Sequence, residues 1–300
     1  VFGPSDERLV VWVVGVFGVG VSWGALTVVN ALVTGRGAAV GVGLRTRVEV
    51  SSEAKEGWVS VRATSSSGDL LGTVYDEFLK RTRVQPLEIR ALITTDLPSG
   101  MGMKSSSSVA NALILALADA YNLTMSHMDV LSINASASIR AGVSYTGALD
   151  DAAACLLGGV TVTDNRLGLI LRRYSAKPEK AIFLIPQNLH RPNVTMKLSS
   201  SMRCSLTTAH RLALIGRYHE ALNINGAVYA YAYGYPNRPT VEAWRLGASA
   251  AGITGNGPAY VALAENGVSE EIAKKWSAYG KLIITETRNS GEDPNHGSSV

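Results

Sequence analysis

Residues 98 to 108 read Pro98-Ser99-Gly100-Met101-Gly102-Met103-Lys104-Ser105-Ser106-Ser107-Ser108. The two glycines let a backbone approach an anion closely, and Lys104 adds a formal charge. Among the four consecutive hydroxyls, one can hold Mg2+, Ser106 being the candidate, while the others bond phosphate oxygens or cap a helix. If the loop empties into a helix, the successive amides of residues 104 to 108 sit at the positive end of the helix dipole, where a polyphosphate is stabilised. Composition alone leaves a second reading open, a Ser/Gly-rich surface loop that only caps a helix. The loop is not a Walker A motif, because Met103 stands where GxxxxGK[ST] demands glycine, and it lacks the GxGxxG dinucleotide fingerprint.

Two other places carry chemistry. Asp150 and Asp151 are adjacent carboxylates, suited to acid–base work or to cation binding, or simply to capping the helix that follows Leu149. Gly252-Ile253-Thr254-Gly255-Asn256-Gly257-Pro258 is a second glycine loop. The five histidines form no HExxH or His/Cys cluster of the kind a transition metal needs. Cys155 and Cys204 form no CxxC pair and are expected to be reduced and buried.

These groups must be positioned by a large core. The chain has 300 residues, 46% hydrophobic and 17% charged, enough for two ordinary domains. A net charge of +4 with scattered Lys and Arg argues against a nucleic-acid partner and suits anionic small-molecule substrates. The uncharged stretch from Leu9 to Thr34 exceeds the roughly 20 residues that span a membrane. Its glycines and valines favour two buried strands and a turn instead, so no membrane partner is expected.

Along the chain, residues 40–50, 58–63 and 87–95 read as strands, the last running straight into the Gly/Ser loop. Apolar residues at Val109, Leu113, Ala116, Leu117 and Ala120 follow helical spacing. Ser126 and Asp129 form a capping box for a helix ending near Arg140. A short helix is expected over 150–157, a strand over 160–163, a β-ribbon in 164–180, and a new unit from Ala181. Helices follow at 199–217, 219–233 and 240–246, then a strand at 259–264, a helix at 269–279 and a strand at 281–287.

Pro98-x-x-x-Gly102-Met103-x-Ser105-Ser106 resembles the P-x-x-x-G-L-x-S-S-A signature of the galactokinase, homoserine kinase, mevalonate kinase and phosphomevalonate kinase (GHMP) superfamily. Within it, Gly102 to Ser107 is most similar to the archaeal shikimate kinases. The run from Gly142 to Cys155 resembles their G-V-x-x-T-G-A-x-D-D-A segment, and residues 252–258 resemble the superfamily's C-terminal glycine loop. Residues 27–31 and 34–39 are similar to the N-terminal substrate region. The resemblance spans roughly residues 22 to 287.

It implies an α+β, two-domain GHMP kinase fold. An N-terminal domain over 1–165 would resemble ribosomal protein S5 domain 2, and a ferredoxin-like domain would occupy 166–300. It further implies a cytoplasmic kinase using ATP and Mg2+ to phosphorylate shikimate, with homoserine kinase or a non-catalytic ligand-binding relative as alternatives. By the same resemblance ATP is held by residues 98 to 108 and by Thr254, Gly255, Asn256 and Gly257. Asp150 is the base, Asp151 its possible substitute or metal partner, Lys104 the charge on the phosphates, and Ser106 with Asp150 the metal ligands. For the shikimate carboxylate Arg140 leads and Arg36 follows, with Asn30 and Thr146 also on the substrate side. One departure stands out: no Asp or Glu lies between Asp129 and Asp150, where several superfamily members carry a Mg2+-binding glutamate. A Ser/Lys hydrolase built on Lys104 would leave Asp150 and the second glycine loop without a role. Oligomeric state is not legible.

Overall fold

The computed structural model describes residues 15–290 apart from 54–55, 65, 188 and 190–199. Among these, strands and helices form two antiparallel sheets with helices packed against them. The first sheet is built on β2 (Arg36–Ser51), which pairs along one edge with β1 (Phe17–Val29) through residues 38–51, with two register shifts. Its other edge is shared, β4 (Ile89–Thr95) taking residues 46–51 and β5 (Val160–Asp164) taking 36–40. β3 (Val59–Val61) extends the sheet beyond β4, and β6 (Leu169–Tyr174) beyond β5. The gap at the middle of that edge is closed from the far end of the chain. There Arg288 donates its amide to the Gly41 carbonyl at 2.8 Å, and Thr287 bridges Val42.

The described part of the apolar stretch is therefore one long strand, not two with a turn. Gly18 and Gly20 make room for the helix that lies on it. A Cβ at Gly18 would fall 2.2 Å from the Ala116 carbonyl oxygen, and one at Gly20 would fall 2.0 Å from that of Ala112. Small residues on both surfaces let α2 (Ser105–Ala120) lie directly on β1. Leu113, Ile114 and Leu117 of α2 are fully buried, each contributing roughly 1.5–3 kcal/mol by removal from water. Helices α1 (Leu70–Thr82), α3 (His127–Arg140) and α4 (Leu149–Leu157) pack around it. α1 starts at Leu70 because Asp69 caps it by accepting the Gly72 amide at 2.9 Å.

From β7 (Lys180–Pro186) onward the chain builds the second sheet. Its order is β10-β7-β9-β8, with β8 (Ala250–Ile253), β9 (Tyr260–Ala264) and β10 (Gly280–Glu286). Helices α5 (Ser200–Leu214), α6 (Tyr218–Tyr233) and α7 (Arg238–Arg245) precede β8, and α8 (Asn266–Trp276) precedes β10. This is the split β-α-β-β-α-β pattern of a ferredoxin-like unit. β8 had no sequence expectation because Gly252 hides it inside the glycine loop. The two sheets share one core: Val40 and Val42 of β2 cluster with Phe183 of β7, Val261 of β9 and Leu222 of α6. Cys155 is buried, but Cys204 is exposed on α5, so only one of the two thiols is where burial was expected. Among the described residues no helix is long and apolar enough to cross a membrane.

Candidate active site

The strand β4, the Gly/Ser loop and α2 follow one another directly, so the loop delivers its amides at a helix start. Lys104 is the N-cap of α2 in a left-handed conformation (φ 66°), with no side-chain cap. The first-turn amides are thus left for a ligand, as phosphate binding at a helix N-terminus requires. Met103 anchors the loop by burying its side chain in the shared core, with Met101 packed at its margin.

The second glycine loop is stitched onto the first. Thr254 Oγ1 donates to the Gly102 carbonyl at 3.1 Å and accepts the Thr27 amide at 3.1 Å. Thr27 Oγ1 in turn accepts the Gly255 amide at 2.9 Å. Asn30 completes the clasp, donating to the Gly255 carbonyl at 3.0 Å and to Asn256 Oδ1 at 2.7 Å. Its own amide is held by Asn225 Oδ1 of α6 at 2.9 Å.

A cavity of about 440 Å3 opens between these loops and the start of α4. Ser99, Gly100, Gly102, Lys104, Ser105, Ser106 and Ser107 line one side, and Asn30, Gly255, Asn256 and Gly257 another. Ser138, Gly142 to Thr146, Ala148, Asp150 and Asp151 line the remaining side. Lys104 Nζ forms an ion pair with Asp151 Oδ1 at 3.0 Å. Asp150 is almost wholly buried, and burial followed by repulsion from Asp151 pushes its carboxyl up to about 7, against the opposing pull of Lys104 and Asn165. Asn165 Nδ2 donates to Asp150 Oδ1 at 2.8 Å. A carboxylate raised this far is suited to accept a proton near neutrality.

Several expected residues lie elsewhere. Pro98 is half-buried at the loop's entry, and Ser108 and Thr254 are buried behind the wall. Arg140 does not reach the cavity: on α3 it faces α1, pairing with Asp76 at 2.6 Å and with Glu77. Arg36 also turns away, pairing with Asp164 at 3.1 Å with its side chain half in solvent. Among the described residues, Lys104 is therefore the cation that lines the cavity, with no arginine beside it. Residues absent from the sequence reading tie the wall together from behind. Asn134 Nδ2 donates to Ser107 O at 3.0 Å and to Asn111 Oδ1 at 2.8 Å, while Asn111 Nδ2 donates to Ala152 O at 2.9 Å. The signal was available, since an asparagine in an Ala/Leu helix must find buried partners.

For a divalent cation, no group of three or more His, Cys, Asp and Glu exists among the described residues. Mg2+ does not need one, because it keeps waters and binds through one or two carboxylates together with phosphate oxygens. Ser106, Asp150 and Asp151 all line the cavity and offer oxygen donors of the kind such an ion takes, Asp151 Oδ1 being paired with Lys104.

Residues 69–159, from the cap of α1 past α4, match the GHMP kinases N terminal domain. Among solved structures, mevalonate kinase from Methanococcus jannaschii aligns with TM-score 0.70 and 12% identity, over 90% of this chain and 98% of that one. Homoserine kinase from Cytophaga hutchinsonii aligns with TM-score 0.68 and 14% identity, over 97% and 98%. At these identities the likeness establishes the fold alone, and it is the matched domain together with the archaeal relatives that defines an ATP-dependent small-molecule kinase. Full-length similarity is greater among archaeal proteins. The shikimate kinase of Thermococcus kodakarensis is 39% identical over 268 residues, 88% of this chain and 97% of its own length. That of Methanocella arvoryzae is 32% identical over 282 residues, 91% and 94%. The chain belongs to the GHMP kinase family, on the branch of the archaeal shikimate kinases.

Proposed function

We propose that this protein transfers the γ-phosphate of ATP to the 3-hydroxyl of shikimate. The observation that carries the reading is the cavity itself, where an uncapped helix start and Lys104 face the buried Asp150 and the partly exposed Asp151, in a chain of this family. Phosphoryl transfer depends mainly on positioning and charge stabilisation. Amides of the α2 start hold the phosphate oxygens, and Lys104 supplies positive charge beside them. Asp150 takes the proton of the acceptor hydroxyl as the new O–P bond forms and the γ-phosphorus leaves the bridging oxygen of ADP. Ser106 and Asp151 would hold Mg2+, which supplies neutralisation of the phosphate charge, and Asp150 is left to take the proton. Thr146 and Asn30 line the acceptor side. With Arg140 and Arg36 engaged elsewhere, the shikimate carboxylate is read by neutral donors of the residue 142–146 loop.

The test is ADP release with ATP and Mg2+ against a panel of shikimate, homoserine and mevalonate. Turnover on shikimate alone is expected. Turnover on homoserine with none on shikimate overturns the acceptor assignment and leaves the kinase fold intact.

A further inference from the structure

The turn that joins β5 to β6 begins at Asn165, and every polar atom of that side chain points inward. Asn165 Oδ1 accepts from Thr163 Oγ1 at 2.6 Å, while Nδ2 donates to Asp150 Oδ1 at 2.8 Å and to Thr146 Oγ1 at 3.2 Å. An ionised carboxylate only accepts hydrogen bonds, so the NH2 end must face Asp150, and the Thr163 bond holds it in that sense. The turn does not need this side chain for its own shape. Asp164 Oδ1 already accepts the amides of Arg166 at 3.2 Å and Leu167 at 3.4 Å, and Arg36 braces Asp164 from outside. The Asn165 amide N–H is satisfied separately by the Gly35 carbonyl at 2.8 Å.

We propose that Asn165 is a positioning residue of the phosphoryl transfer, its side-chain amide fixing the Asp150 carboxylate and the Thr146 hydroxyl at one spacing so that base and acceptor wall form one rigid unit. The proposal rests on Asp150 acting as the base. Arg36 then serves the same end at one remove: its pair with Asp164 holds the turn from which Asn165 reaches inward. A displacement of about 1 Å between base and acceptor is enough to cost on the order of 10²-fold in rate, which is the scale on which such a clamp acts.

The experiment is a double-mutant cycle of Asn165→Ala and Asp150→Asn in the full chain, with steady-state kinetics on shikimate, ADP titration and thermal denaturation. Asn165→Ala is expected to lower kcat at least about tenfold with ADP affinity unchanged, and to add no further loss in the Asp150→Asn background, because it acts through that carboxylate. A full-sized additional loss in that background, or a kcat equal to wild type for Asn165→Ala, overturns the proposal. Should Asn165→Ala lose ADP binding or fold, the isosteric Asn165→Asp replaces it in the same cycle. It puts an acceptor against Asp150, and a kcat equal to wild type again overturns the proposal. If the wild-type protein phosphorylates another alcohol and not shikimate, the acceptor assignment fails while the cycle is run unchanged on that alcohol, so the two failures are distinct.

Discussion

Gly37 offers a way to displace the proposed base without touching a charge or a hydrogen bond. It sits in β2 opposite Thr163, outside the left-handed region, so its backbone accepts alanine without strain. Space is the only obstacle. An added Cβ would lie 2.2 Å from Asp150 Oδ2 and 2.4 Å from its Cγ, whereas ordinary contact begins at 3.4 Å. The carboxylate must therefore retreat by about 1.2 Å or β2 must move by as much. Retreat is resisted, since the Asp150 carbonyl accepts from Thr161 Oγ1 at 3.1 Å and its Oδ1 is held by Asn165. A misplacement of about 1 Å costs on the order of 10²-fold in rate, and overpacking of this size costs about 1–3 kcal/mol of stability. In ADP-release kinetics at saturating ATP and shikimate, Gly37→Ala is expected to lower kcat by about 10²-fold with a modest loss in Tm and unchanged ADP affinity. A kcat within about threefold of wild type, or a loss of ADP affinity equal to the loss in kcat, refutes the reasoning.

Three further outcomes follow from the same geometry. Gly102→Ala places a Cβ 2.3 Å from the Thr254 carbonyl at a φ of +78°, so it is expected to part the two glycine loops and raise KM for ATP at least about tenfold; an effect confined to KM for shikimate contradicts this. Arg140→Ala is expected to leave KM for shikimate unchanged and to cost about 1 kcal/mol of stability by urea unfolding, because it removes the partner of Asp76 and Glu77. Lys80 and Arg140 hold the Asp76 carboxyl below its ordinary value of 3.8. That stabilisation is therefore present above this pH and lost as pH falls through the depressed value, and the Arg140→Ala deficit should fade in acid. Finally, burial raises the Asp150 carboxyl to about 7, so kcat/KM for shikimate should fall as pH drops below about 7 and the base becomes protonated. Asp150→Asn should abolish that limb and lower kcat by at least about 10²-fold, and a variant that keeps both limb and rate removes Asp150 from the mechanism.

What could be read from the sequence was what local chemistry dictates. The Ser126 and Asp129 pair marks the start of α3 because Ser126 Oγ accepts the Asp129 amide at 3.1 Å, a contact between residues three apart. Strand, glycine loop and helix around Lys104 were legible for the same reason. Arg140 was misplaced because nearness in the chain to Asp150 says nothing about helical phase. Two residues make the difference on α3: Ser138 lines the cavity, while Arg140 is rotated onto α1. Arg36 was equally invisible as a brace, since its partner Asp164 is distant in sequence and adjacent only through the β2–β5 pairing. The same pairing brings Asn165 to Asp150, and no local pattern announces it.

The places where local rules are broken identify the site more sharply than the motifs do. α1 and α3 start conventionally, with Asp69 and Ser126 accepting amides of their first turns. α2 and α4 start from Lys104 (φ 66°) and Ala148 (φ 49°), left-handed and without side-chain caps. No other N-cap among the described residues is left-handed. Each such residue costs about 1–2 kcal/mol where glycine or a capping serine would not. Both helix starts face the same cavity, one presenting Lys104 and free amides, the other presenting Asp150 and Asp151 in its first turn. A serine cap at position 104 would occupy the very amides proposed to hold phosphate oxygens, and it would remove the only cation among the lining residues described. The strained starts keep those amides and carboxylates available to a ligand, so the local instability of α2 and α4 and the chemistry of the cavity have one origin.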